Sequence, residues 1–203
     1  MQPSLAALIF SSLLVFVQGD NISQFTICHE LVSALSGQVF FPEAPVYNAS
    51  ISSYPFLQLR LHPNCIVRPK SAQDVSLAIG ILKESNTTRF AVKGGGHNAN
   101  AGYNNIDNGV TIDMQSMKDV EVARGDQVVR VEAGALSQDA YNAAEKRNLT
   151  VLVGRIGVVG TAGFLTGGTM FPQLLYYHEA IADLRQVASR SSHRNSVGPA
   201  TQS

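Results

Sequence analysis

Three adjacent glycines, Gly94, Gly95 and Gly96, separate the apolar run Phe90-Ala-Val from a lone histidine, His97, at the head of a polar loop. No other stretch limits the fold as tightly. Successive glycines permit positive φ, let backbone approach a neighbour closely, and allow consecutive N–H groups to converge on an anion. A tight turn uses the same residues, so the cluster alone leaves both readings open.

The sequence after His97 removes one common solution. A dinucleotide-binding Rossmann turn opens directly into a helix, whereas Asn98, Asn100, Gly102, Asn104 and Asn105 form a polar loop without helical periodicity. A second glycine-rich stretch carries Gly154, Gly157, Gly160, Gly163, Gly167 and Gly168 among Val158, Val159, Phe164 and Leu165. Such glycines cost about 1 kcal/mol each in a plain helix. Close backbone approach to a ligand or packing of two elements accounts for them equally well.

Composition bounds the remaining choices. The 203 residues, 45% of them apolar, suit one or two globular domains. Zero net charge without a basic block argues against a nucleic-acid partner, which needs clustered Lys and Arg. Residues 1–19 read as a signal peptide, with an apolar core from Leu5 to Val17 and small Gly19 before the cut, although no basic residue precedes that core. Secretion without a membrane anchor is the expectation. Asn21, Asn48, Asn86 and Asn148 each open a glycosylation sequon. Cys28 and Cys65 are the only cysteines, and in a secreted chain they are expected to form a disulfide rather than bind metal, contributing about 3–4 kcal/mol. No metal site is expected.

Along the chain, Ser23 is positioned to cap a helix that buries Ile27, Cys28, Leu31, Val32 and Leu35 and ends at Gly37. Pro42, Pro45 and Pro55 suggest an extended connection up to residue 60. Ile66-Val67, a helix capped by Ser71 and Asp74 with Val75, Ala78, Ile79 and Leu82 inward, and a strand over 89–92 then predict a parallel crossover. Strands at 110–114, 119–122 and 127–133 read as antiparallel, hairpin-like neighbours around a turn at Arg124, Gly125 and Asp126. Ser137 is expected to cap a helix reaching Lys146, and Thr150 to Val153 to form a further strand.

These segments together resemble the FAD-binding half of secreted flavoprotein oxidases with the vanillyl-alcohol-oxidase (PCMH-type) fold, particularly the berberine-bridge-enzyme-like group. Cys65-Ile-Val-Arg-Pro, Phe90-Ala-Val-Lys-Gly-Gly-Gly-His, Ala101-Gly-Tyr-Asn-Asn, Gly109-Val-Thr-Ile-Asp, Val131-Glu-Ala-Gly-Ala and Gly154-Arg-Ile-Gly-Val-Val-Gly-Thr-Ala-Gly carry it. The resemblance implies an α+β fold, with a small parallel βαβ subdomain, a second mixed or antiparallel subdomain, and a partial FAD-binding domain over residues 61–169. It further implies that Gly94, Gly95, Gly96, His97 and Asn98 wrap the FAD pyrophosphate. By the same resemblance His97 bonds covalently to the flavin 8α-methyl carbon, while Gly134, Gly160, Gly163, Gly167 and Gly168 approach the cofactor. Members with two flavin bonds carry a cysteine in the second glycine segment, and none stands there, so one bond is expected.

The resemblance stops after Gly168, and residues 170–203 read as a divergent tail with an amphipathic helix over 173–188 before a disordered end. We read the chain as truncated, its last stretch supplied by altered splicing or a shifted frame; a natural short variant is the alternative. The family reaction implied is oxidation of a small molecule, with hydride passing to flavin and oxygen as acceptor. A secreted glycoprotein keeping the fold without flavin, and an interaction module using the Tyr177 to Ala188 helix, are its rivals. Tyr103 and Asp113 are the nearest ionisable groups to the loop, but suit a loop aromatic and a strand-end cap better than a catalytic base. Catalytic residues, substrate and oligomeric state stay unassigned.

Overall fold

The computed structural model describes residues 26–85, 88–123, 128–167 and 193–196. The signal peptide, Asn21, Asn86, the turn at Arg124, Gly168 and the tail helix over 173–188 lie outside them. The first helix, α1, is described over residues 26–34; Ile27, Cys28 and Leu31 on it and Leu35 just beyond it are buried at helical spacing. Gly37 ends it at φ +71°, a conformation in which a side chain would be strained.

Strand β1 (Val39–Phe40) runs antiparallel to β2 (Cys65–Val67). The proline-rich stretch between them is not an extended connection. It folds into helix α2 (Pro45–Ser52) and a 3₁₀ turn at Leu57–Leu59. Pro45 occupies the first helical turn, where its fixed φ suits the helix and its missing N–H is not needed. Tyr47 and Ser50, one turn apart, then hold α2 against the body of the protein.

Helix α3 (Ala72–Glu84) follows β2, and its first turn is capped as the sequence predicts: Asp74 N–H donates to Ser71 Oγ at 3.1 Å. Ala78 and Leu82 face inward, whereas Ile79 is 40% exposed and so lies on the outer face. Strand β3 (Phe90–Lys93) completes the crossover. β4 (Val110–Asp113) does not join the antiparallel strands. It inserts between β2 and β3, parallel to both, giving the order β1-β2-β4-β3. All four of its residues are buried, and a continuously buried strand belongs inside a covered parallel sheet.

The main core joins α1, α3 and one face of this sheet through Leu31, Leu35, Val67, Leu82, Val110 and Ile112. The Cys28–Cys65 disulfide crosses the same core and ties α1 to β2 over 37 residues. Replacing both cysteines by alanine is expected to lower stability by about 2–5 kcal/mol, read as a lower urea midpoint in non-reducing buffer; an unchanged midpoint would contradict it.

The second sheet is antiparallel. β5 (Val120–Ala123) pairs with β6 (Val128–Val131), as the hairpin reading requires, and β7 (His193–Ser196) adds to the other edge of β6. The tail is therefore not disordered throughout: a ladder is built from main-chain groups, and polar residues supply these as well as apolar ones. Helix α4 (Ser137–Glu145) covers this sheet with buried Ala140 and Ala144. Its cap is not Ser137. The Leu136 N–H donates to Asp139 Oδ2 at 2.8 Å, while the Ser137 N–H is taken by Val159 O at 2.9 Å. Thr150 to Val153 joins no ladder among the described residues; Val151 and Val153 alternate into the core, so the periodicity reports burial. Helix α5 (Thr161–Thr166) ends the continuous part.

Candidate functional site

The glycine segments, distant in sequence, meet at one junction beyond the carboxyl end of β3. A Cβ on Gly95 would lie 2.3 Å from the Gly160 nitrogen, and one on Gly160 the same 2.3 Å from the Gly95 nitrogen. Backbone meets backbone here, and neither position accepts a side chain. A Cβ on Gly134 would fall 1.9 Å from Met114 O, and one on Gly94 3.2 Å from Ala133 O. Gln115 fastens the arrangement, its Nε2 donating to Gly94 O at 2.7 Å and to Gly134 O at 3.2 Å. The second glycine stretch is held in turn by an isolated bridge between Leu136 and Gly160 and by Thr161 N–H to Ala135 O at 3.0 Å.

Gly163 differs from these, since a Cβ there would meet nothing within 4 Å. Gly167 is tighter, at 3.1 Å from Gly163 O, and Gly168 is outside the described residues. Glycine at 95, 134 and 160 is therefore required by the protein's own packing.

The loop that follows is open in its hydrogen bonding. Gly96 is buried at φ +73°, and Gly95 and His97 are half-buried. Among the described residues, no acceptor takes the backbone N–H of Gly95, Gly96, His97 or Asn98. Buried N–H groups are almost always paired, so a run of successive unpaired ones, one of them buried, suits an anionic ligand. The His97 imidazole likewise has no hydrogen-bond partner among the described residues.

Beneath the loop lies a buried polar cluster that the sequence did not disclose. Lys93, the last residue of β3, is buried; its Nζ donates to Ser50 O and Ser53 Oγ at 2.8 Å each and to Ser50 Oγ at 3.0 Å. Asp113 Oδ2 stands 3.5 Å from that Nζ and accepts from Ser50 Oγ at 2.5 Å. Burial holds the Lys93 ammonium below the usual lysine range, and the Asp113 carboxylate acts against that shift. The other oxygen of Asp113 accepts from the Gln115 N–H at 3.0 Å, so this residue is a strand-end cap. Tyr103 is 69% exposed on the loop. Tyr54 is buried beside the cluster, its ring 4.3 Å from Lys93 Nζ, and burial followed by the charge of Asp113 raises its hydroxyl pKa. Its hydroxyl therefore remains a donor throughout the ordinary pH range.

The FAD implied by the sequence fits what is present. The unpaired N–H run offers a seat for a pyrophosphate, and its β-strand-end position is where open sheets place ligands. Among the described residues no three metal-ligating side chains cluster, and no helix is long and apolar enough to cross a membrane.

Known proteins point the same way. The profile of the family described as FAD binding domain matches residues 63–189, running past Gly168, where the sequence reading ends the resemblance. The FAD-dependent monooxygenase sdcF of Emericella nidulans is 34% identical over 142 residues, covering 70% of this chain and 30% of that protein. An uncharacterized FAD-linked oxidoreductase of Arthroderma benhamiae is 36% identical over 151 residues, covering 74% of this chain and 30% of its own. The chain thus spans about 30% of the length of the curated relatives it matches.

Among solved structures, 6-hydroxy-D-nicotine oxidase from Arthrobacter nicotinovorans superposes with a TM-score of 0.55 at 28% identity, over 63% of this chain and 28% of that one. A variant of the grass pollen allergen Phl p 4 reaches 0.67 over 87% of this chain and 44% of its own; at 17% identity it speaks for the fold alone. Gly95 and Gly160 thus meet within the span that the profile covers, and the chain belongs to the FAD-binding-domain family.

Proposed function

We propose that this chain is the cofactor-holding part of a secreted FAD-dependent oxidoreductase of the oxidase type. The observation that carries the reading is the run of unpaired N–H groups from Gly95 to Asn98, closed against Gly160, in a member of an FAD-binding family. On this reading those N–H groups hold the pyrophosphate. When bound, the flavin ring accepts hydride from a small-molecule substrate and yields the electrons to dioxygen, giving hydrogen peroxide.

His97 makes the single covalent link. With FAD bound, an imidazole nitrogen of His97 would be the attachment point for the 8α carbon, and the two protons and two electrons released by that bond would pass to dioxygen as hydrogen peroxide.

Expression of the full chain with excess FAD tests this directly. Yellow protein with flavin absorbance is expected; correctly folded, colourless protein would replace the reading with a flavin-free glycoprotein. Secretion is supported by the disulfide and by Asn48 and Asn148, both exposed. Asn148, at φ +55° beyond the end of α4, stands at a turn where a glycan is accommodated. Treatment of secreted protein with an N-glycosidase is expected to increase its gel mobility, and no change would exclude the glycans.

A further inference from the structure

We propose that Tyr54 and Asn104 form a clamp that positions His97 for its bond to the flavin. The inference rests on the FAD reading of the loop and adds the residues that set its geometry.

His97 makes no hydrogen bond of its own among the described residues, so its place is set by the backbone on either side. Tyr54 touches the loop and the residue from which it starts at three points. Its ring carbons would lie 3.1 and 3.2 Å from a Cβ on Gly96, the residue before His97, so the ring lies directly against that turn. The same ring faces Lys93 Nζ at 4.3 Å, where the loop leaves β3. Its hydroxyl donates to Asn104 O at 2.6 Å, where the loop returns.

Asn104 carries the constraint back to the histidine. Its Nδ2 donates to Asn98 O at 3.1 Å, the residue after His97. Its Oδ1 is buried without a hydrogen-bond partner, a cost that a loop free to relax would not carry. Tyr54 is itself immobilised: it is 1% exposed, and Arg60 donates to its carbonyl from Nε at 3.2 Å and Nη2 at 3.1 Å. Gly96 thus lies against the Tyr54 ring, and Asn98, on the other side of His97, is bonded to Asn104, which Tyr54 holds in turn. A displacement of about 1 Å in a reacting group can cost about a hundredfold in rate, so such a clamp bears on bond formation more than on cofactor affinity.

The test uses full-length protein made in flavin-depleted cells and then mixed with FAD. Covalent attachment is followed as fluorescence surviving denaturing gels, reversible binding by fluorescence titration, and folding by thermal melting. Tyr54→Phe keeps the ring but loses the bond to Asn104 O; Asn104→Ala loses the bond to Asn98 O. Each is expected to slow attachment by about tenfold or more while FAD affinity stays within about threefold and melting within a few degrees. Attachment at the wild-type rate in either folded variant overturns the clamp. Slowing in step with lost affinity or lost melting temperature assigns these residues to folding alone and also overturns it. If Tyr54→Phe gives no folded protein, Asn104→Ala decides by the same criteria. Wild-type protein that binds no flavin at all is a distinct result, and removes the FAD reading itself.

Discussion

Gly134→Ala is expected to abolish the folded state or weaken it by about 3–5 kcal/mol, the upper range for a single substitution. The added methyl would lie 1.9 Å from Met114 O and 2.8 Å from Met117 O, both main-chain atoms. No rotamer change relieves such a contact. The backbone after β4 must move, and with it the Gly134 N–H bond to Met117 O and the Gln115 bridge to Gly94. Gly80→Ala supplies the control, since a Cβ there meets nothing within 4 Å in α3, and alanine is expected to stabilise the helix by about 1 kcal/mol. Urea unfolding of both variants checks the pair. Equal, small effects would show that the junction yields more readily than its geometry implies.

Lys93→Met is expected to lower stability by about 3–5 kcal/mol. It leaves Asp113, 1% exposed, with the Arg68 guanidinium 3.9 Å away but without the nearer ammonium, and a buried charge stripped of its closest partner costs more than the pair contributes. Lys93→Met combined with Asp113→Asn is expected to recover part of that loss, because the amide oxygen can still accept from the Gln115 N–H while the amide nitrogen donates to Ser50 Oγ. A double variant as unstable as the single would place the loss in packing.

The sign with pH follows from the same burial. The folded chain holds the Lys93 proton less tightly than the unfolded chain, so the protonation penalty is largest below the lowered folded pKa. From there up to the ordinary lysine value this group adds stability as pH rises.

What the sequence disclosed was local. The Ser71 cap of α3, the glycine ending α1 and the β5–β6 pairing all depend on residues a few positions apart, and these are as expected. The disulfide was legible because Cys28 and Cys65 had no other partner to choose. Helix α2 was missed because Pro45 reads as a breaker unless its position within the first turn is known. The insertion of β4 between β2 and β3 is a matter of strand order, which periodicity does not encode.

The support beneath the site was invisible for a related reason. Ser50 meets Asp113 across 63 positions, and Tyr54 meets Asn104 across 50. Neither spacing has a sequence signature. Gln115 joins Gly94 to Gly134 by a side chain that could equally have faced water. The sequence left ligand approach and close packing equally open for the glycines, and Gly95 and Gly160 are glycine first because each occupies the space of the other's side chain.

The central claim is that the Gly94 to Asn98 loop holds FAD and that His97 bonds to it. Flavin-loaded protein should be precipitated in acid, digested with protease, and the yellow fraction sequenced by mass spectrometry. Colour is expected to stay with the precipitate, and one peptide, containing His97, to carry the flavin mass; His97→Ala should lose that peptide. Complete release of flavin into the acid supernatant of the wild-type protein would contradict it.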